Sequence, residues 1–196
     1  MHKLLISLVA LLGVAAPIEA NEHPTYKGYE LPPFTVLMSD GPFELRRYAS
    51  HVVAEVSVAG DRVQAASRGF RVLAGFIFGD NTSQDKIAMT VPVAQEPIGT
   101  GLWTVRFMMP ASFTLQSLPN PNDSRIRLVE KSAMKQVAVG FSGLRSDAIL
   151  EEQERFLRQW AARQELTILE GPFYYFYDGP ATLPWNRRNE VAFTVE

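Results

Sequence analysis

The chain contains no cysteine, so no disulfide braces it and no thiolate can hold a metal or a heme iron. Histidine is nearly as scarce, with only His2, His23 and His51 in 196 residues. A three-histidine zinc site cannot be built from the two that follow the first twenty residues, and a Ser-His-Asp triad has little to draw on. Charge of either sign is not in excess. The formal net charge of −2 supplies no general attraction for nucleic acid or for anionic lipid. Beyond the first twenty residues no apolar run approaches the roughly 20 residues that a membrane-spanning helix needs.

Apolar residues, at 46% of the chain with 20% charged, suffice for one globular domain with a sizeable core. The first twenty residues read differently. Lys3 gives a short basic start, and 4–18 is an apolar run broken only by Ser7, Gly13 and Pro17. Ala20 then precedes the polar Asn21-Glu22-His23. This pattern predicts a secretory signal peptide over 1–20, cleaved after Ala20 or after Ala16, and hence an exported protein, periplasmic or secreted. With no cysteine after the run, no lipid anchor is expected.

Residues 21–40 are proline-bearing and weakly periodic, which predicts an extended arm leading into a domain over 41–196. Val52, Ala54, Val56 and Val58 alternate with Val53, Glu55 and Ser57, the period of a half-buried strand. Gly60-Asp61 opens a helix reaching about Phe78 and stopped by Gly79-Asp80-Asn81. Strands are predicted in KIAMTVPV, whose Pro92 suggests a sheet edge, and in WTVRFMMP, with 110–124 a turn-rich connection. A shift of 83 positions lays the second half on the first: Gly143 on Gly60, Val139 on Val56, Phe141 on Val58. A second helix from Ser146 to about Glu165 then falls on the first, followed by strands FYYFY and EVAFTV. The expected fold is α+β, with duplicated strand-helix-strand units forming a distorted antiparallel or mixed β-barrel flanked by two helices.

The ordered set FELRRYASHVVAEV, AASRGFRVLAGFIFGDNTSQDKIAMTVPV, WTVRFMMP, LPNPNDSRIRL and LPWNRRNEV resembles the SOUL heme-binding family. The resemblance runs from about Phe34 to the end of the chain. It implies a distorted barrel of two related halves and a heme or other porphyrin bound in an apolar cleft along the first helix, bordered by the C-terminal loop.

The first helix carries an independent signal. At about 100° per residue, Val63, Ala66, Phe70, Leu73, Ala74 and Ile77 form one stripe. Ala65, Gly69, Val72 and Phe76 extend it to an apolar arc of roughly 200°, wider than a core-facing stripe requires. Under the 83-residue shift the matching flank of the second helix is Ala148, Glu152, Arg155 and Gln159, mostly polar. Small residues at Ala65 and Gly69 would let a planar ligand approach closely; the alternative is that the 21–40 arm or a loop covers the flank. Arg68 and Arg71 border the arc, within reach of propionates, and Leu183, Pro184 and Trp185 would close the far side. The expected heme-binding set is therefore Ala65, Arg68, Gly69, Phe70, Val72, Phe76, Leu183 and Trp185, with no catalytic residue and no metal site of the chain's own.

No residue stands out as an iron ligand. His51 falls with Val53, Glu55 and Ser57, opposite the apolar strand face, where a solvated histidine is expected. Met89 and Met109 share faces with core residues, whereas Met108 does not. The expected function is non-catalytic tetrapyrrole binding for storage, buffering or transfer, with no nucleic-acid partner and no membrane span. Two alternatives stay open: a hydrolase or effector-binding domain using Glu44, Glu55 or Glu190, and a protein-interaction module. Asn81-Thr82-Ser83 matches a glycosylation acceptor but is expected to be a structural turn.

Overall fold

The computed structural model describes residues 24–196; the 1–20 leader, Ala16, Ala20 and His23 lie outside them. A small hairpin of β1 (Thr25–Tyr26) and β2 (Tyr29–Glu30) comes first. Then follow β3 (Phe34–Asp40), β4 (Phe43–Tyr48), β5 (His51–Ala59), α1 (Arg62–Ile77), β6 (Val93–Gly99) and β7 (Leu102–Met108). The second half comprises β8 (Arg127–Lys131), β9 (Met134–Phe141), α2 (Asp147–Arg163), β10 (Ile168–Phe176), a 3-10 turn (Pro184–Asn186) and β11 (Asn189–Val195).

Strands β3 to β11 form one sheet in the order β3-β4-β9-β11-β10-β6-β7-β5-β8, and every pair is antiparallel. The α+β expectation holds, and the mixed-sheet option does not. Setting β3 aside, the order is a palindrome: exchanging β4 with β8, β5 with β9, β6 with β10 and β7 with β11 reverses it. The two halves thus meet at the β6–β10 pair, and each half lends its first strand to the other, β4 pairing with β9 and β8 with β5.

This exchange forces the sheet to curl. β4 ends at Tyr48 and β5 begins at His51, as β8 ends at Lys131 and β9 begins at Met134. Each connection spans three Cα–Cα steps, at most about 11 Å. The strands they join stand six places apart in the sheet, about 29 Å if the sheet were flat. Only a strongly curled sheet reconciles the two lengths. Its outer strands β3 and β8 are not hydrogen-bonded to each other, so the curl is open and no closing ladder completes the expected barrel.

The helices lie outside the curl. Val52, Ala54 and Val56 of β5 and Val105 and Phe107 of β7 pack under α1 with Leu73, Phe76 and Ile77. Val137, Val139, Val191 and Phe193 pack under α2 with Leu150, Leu157 and Trp160. The α1 start follows from its cap: Asp61 accepts a 2.8 Å hydrogen bond from the Gln64 amide, the role a capping aspartate plays. Its end is closed by Asn81, buried, whose amide group donates to the Phe76 and Asp85 carbonyls while its oxygen accepts from the Ser83 and Asp85 amides. The Asn-Thr-Ser sequence is therefore a structural turn.

One local expectation fails. KIAMTVPV is not a strand; β6 starts only at Val93. Ile87 and Val91 are buried and Met89 half-buried, so the alternation records burial without a ladder, while Thr90 donates its hydroxyl to the Met108 carbonyl at 2.7 Å. Pro92 consequently precedes a central strand rather than marking an edge. The described part of the arm, 24–40, is extended and packed against the domain. β3 pairs with β4, Asp40 accepts from the Trp160 indole at 2.8 Å, and Leu31 packs with Val91 and Tyr177.

Candidate functional site

The structure divides the expected binding residues by their angle around α1. Ala65, Gly69 and Phe76 face the sheet and are buried, with Val72 half-buried in the same core. A Cβ on Gly69 would lie 2.6 Å from Cγ2 of Val105, so glycine is required there by the close approach of helix to strand, not by a ligand. Phe70 and Val63 point outward, 42% and 62% exposed. Together with half-buried Ala66 and Ala74 they make an apolar stripe about three turns long. The edge of Phe70 rests on Phe107, ring centroids 5.3 Å apart, which joins the stripe to the core. Arg71 is exposed beside it. Arg68 stands roughly 160° from Phe70 around the helix and turns back toward the Ala59 carbonyl.

The expected asymmetry between the helices disappears for a physical reason. The 83-residue offset holds for β5 and β9, but the caps Asp61 and Ser146 are 85 apart, because two extra residues separate β9 from α2. At that offset Ala65 matches Leu150, Val72 matches Leu157 and Phe76 matches Ala161, all three buried in α2. The Ala65-Gly69-Val72-Phe76 flank is the core face of α1, and its counterpart in α2 is the core face too.

Leu183 and Trp185 are exposed on the C-terminal loop. The loop is held by Arg187, which donates to the Thr182 and Pro180 carbonyls, and by the Gly143 amide, which donates to the Pro184 carbonyl at 2.9 Å. It approaches the N-terminal end of α1 through the 143–145 connection: Arg62 donates to the Arg145 carbonyl at 2.6 Å, and the Arg145 guanidinium lies over the Phe176 ring. Arg145 has its pKa lowered by burial and by the neighbouring charges of Arg187 and Arg62.

The largest surprise is on the other side of the sheet. The curl encloses a cavity of about 290 Å³, lined among others by Tyr48, His51, Val53, Arg106, Met108, Lys131, Met134, Phe173 and Tyr175. His51, expected to be solvated, is half-buried there, and its Nδ1 lies 3.0 Å from the Ala49 carbonyl. Burial and the Lys131 charge lower its pKa below 6.5, against the opposing effect of the Ala49 carbonyl, so the ring is neutral at pH 7. It is the only histidine among the described residues, and the sheet separates it from α1. Among them no three His, Asp or Glu side chains converge as a metal site would require.

A family model described as SOUL heme-binding protein matches residues 29–194. The chain belongs to the SOUL heme-binding family. Heme-binding protein 2 of Mus musculus is 27% identical over 190 residues, covering 92% of this chain and 90% of that protein. Heme-binding protein 2 of Homo sapiens is likewise 27% identical, over 90% and 87% of the two chains. Among solved structures, the EcmrR C-terminal domain superposes with a TM-score of 0.59 at 14% identity, covering 79% of this chain and 96% of that one. A hydrolase from Listeria innocua superposes at 0.54 with 13% identity, over 79% and 91%. These last two are likenesses of fold.

In this SOUL-family protein the three carboxylates considered for hydrolysis are all engaged by arginine. Glu190, fully buried, accepts from Arg46 Nη1 and Nη2 at 2.7 and 3.0 Å, from Arg188 Nε and Nη2 at 3.0 and 2.7 Å, and from the Tyr177 hydroxyl at 2.8 Å. Burial alone would raise its pKa, but the two guanidinium groups hold it below the ordinary value. Glu55 accepts from Arg106 at 2.6 Å and from Arg127 at 2.5 Å, and its pKa too is lowered despite burial. Glu44 accepts from Arg46 at 2.7 Å. Glu190 and Glu55, so paired and held in the ionised form, are poor proton shuttles.

The residues that sequence reasoning missed are the outward Val63, Ala66 and Ala74 as a surface stripe, and the whole lining of the inner cavity. The first were visible but assigned to the core. The second carried a signal in the two short connections at 49–50 and 132–133, which the internal repeat makes equivalent.

Proposed function

We propose that this protein binds heme or a related tetrapyrrole without transforming it, for storage, buffering or transfer, and does so as an exported protein. Family membership supports the ligand class. The observation that carries the location is the outward stripe of α1, where Val63 and Phe70 are exposed one above the other, Ala66 and Ala74 leave room for a flat ring, and Arg71 stands alongside for a propionate. Exposed apolar surface of this kind marks binding sites. The C-terminal loop, with Leu183 and Trp185, is tied to the 143–145 connection, which in turn contacts Arg62 at the start of the same helix, and would supply a second wall. The stripe contains no histidine, methionine or other iron donor, so affinity rests on the ring face and its carboxylates.

Titration of the mature protein with hemin and with protoporphyrin IX, followed by the Soret band, tests this. Saturable one-to-one binding of both, with affinities within a few-fold, is expected. Absence of saturable binding at micromolar ligand overturns the reading.

A further inference from the structure

The inner cavity is lined by both charged and apolar side chains, and the strand register gives its direction. His51 stands opposite Lys131 at one end. Two residues along β5, Val53 stands opposite Met108, followed by Glu55 opposite Arg106 and Arg106 opposite Ala94, with Tyr175 opposite Ala94. Glu96 lies opposite Thr104, which is level with Ser57. That is six residues from His51, about 20 Å along the strand.

The charges are not equally committed. Arg106 is neutralised by Glu55 and Glu96, both at 2.6 Å. Glu55 already accepts from Arg106 and Arg127. Lys131 is the cation of this group that makes no hydrogen bond: its ammonium lies 4.0 Å from Glu55, an ion-pair distance beyond hydrogen-bond reach. It lines the cavity beside His51 and at the end away from Glu96. Between His51 and Glu96 the walls are Arg106, already paired with two carboxylates, and the apolar Val53, Met108, Pro92, Phe173 and Tyr175, the last two with rings stacked within 8° of parallel. The volume, about 290 Å³, stands at the lower limit of small-molecule sites, roughly 300 Å³.

We infer that the curled face of the sheet is a second binding site, for a small apolar monocarboxylate, with Lys131 taking the carboxylate and Val53, Met108, Phe173 and Tyr175 the apolar body. It is independent of the tetrapyrrole reading, because the sheet lies between this cavity and the outward stripe of α1.

Calorimetric titration with octanoate and with its neutral counterpart 1-octanol tests the site. Octanoate is expected to bind one-to-one, at least about tenfold more tightly than 1-octanol, as a charge-assisted hydrogen bond allows. Lys131→Met should reduce octanoate to the level of 1-octanol and leave 1-octanol unchanged. Equal binding of the two ligands, an unchanged octanoate affinity in Lys131→Met, or no saturable octanoate binding overturns the inference. Phe70→Glu should leave octanoate affinity intact whatever it does to hemin, so failure of one reading is separable from failure of the other. Displacement of octanoate by hemin overturns the independence of the two sites.

Discussion

Gly69 shows how one residue type supports opposite readings. In the sequence a small residue on an apolar helix flank suggests room for a flat ligand; in the structure the room is filled by Val105. Gly69→Ala should therefore destabilise the fold, by about 1–3 kcal/mol, although alanine favours helix over glycine. Denaturant unfolding of Gly69→Ala, Val105→Ala and the double variant checks this, with the double variant more stable than the sum of the single losses predicts. Glu190 is the converse, a residue considered for chemistry whose five hydrogen bonds make it a structural clamp. Glu190→Gln leaves Arg188 without its counter-charge and Arg46 with Glu44 alone, a loss of roughly 3–5 kcal/mol for a buried pair, read as a Tm lower by on the order of 10 °C. The depressed pKa values of Glu190 and Glu55 give stability that is complete above their ordinary value of 4.5 and lost as pH falls through the folded-state values. His51 acts in the same direction at higher pH. Its lowered pKa means that the unfolded chain takes up the proton first, so stability declines as pH falls below 6.5. An NMR titration should place the His51 midpoint below 6.5, and Lys131→Met should move it upward.

At the scale of elements, both helices and most strands were legible, because period and caps are local properties. The Asp61 and Ser146 starts, β5, β7 and β11 lie within a residue or two of their expected bounds. What was not legible depended on partners distant in sequence. The buried alternation of Ile87, Met89 and Val91 has the period of a strand, yet its pairing is a single isolated bridge from Thr90 to Glu30 and no ladder extends from it. The wide apolar arc of α1 does not by itself say which part faces inward: Leu73 and Ile77 of the stripe are core, Val63 and Phe70 are exposed, and the approach of Val105 to Gly69 places the flank inside. The two-residue shift between β9 and α2 then made a repeated core face resemble a unique flank.

For the whole molecule, the palindromic strand order and the two short connections produce the curl, and the curl produces two separated apolar surfaces. One is the outward stripe of α1; the other is the enclosed face that holds His51 and Lys131. The face of β5 opposite the helix therefore looks into a cavity rather than into bulk solvent, which a single strand's alternation cannot reveal. The duplicated architecture was visible in the sequence, but its consequence for the site was not, since it arises from the exchange of β4 and β8 between the halves. The claim that a tetrapyrrole lies on α1 is tested most directly by the affinity of Phe70→Glu for hemin and protoporphyrin IX, with circular dichroism confirming the fold. Loss of the aromatic contact predicts both affinities reduced by about tenfold or more. Unchanged affinity for both ligands in a folded variant would contradict it.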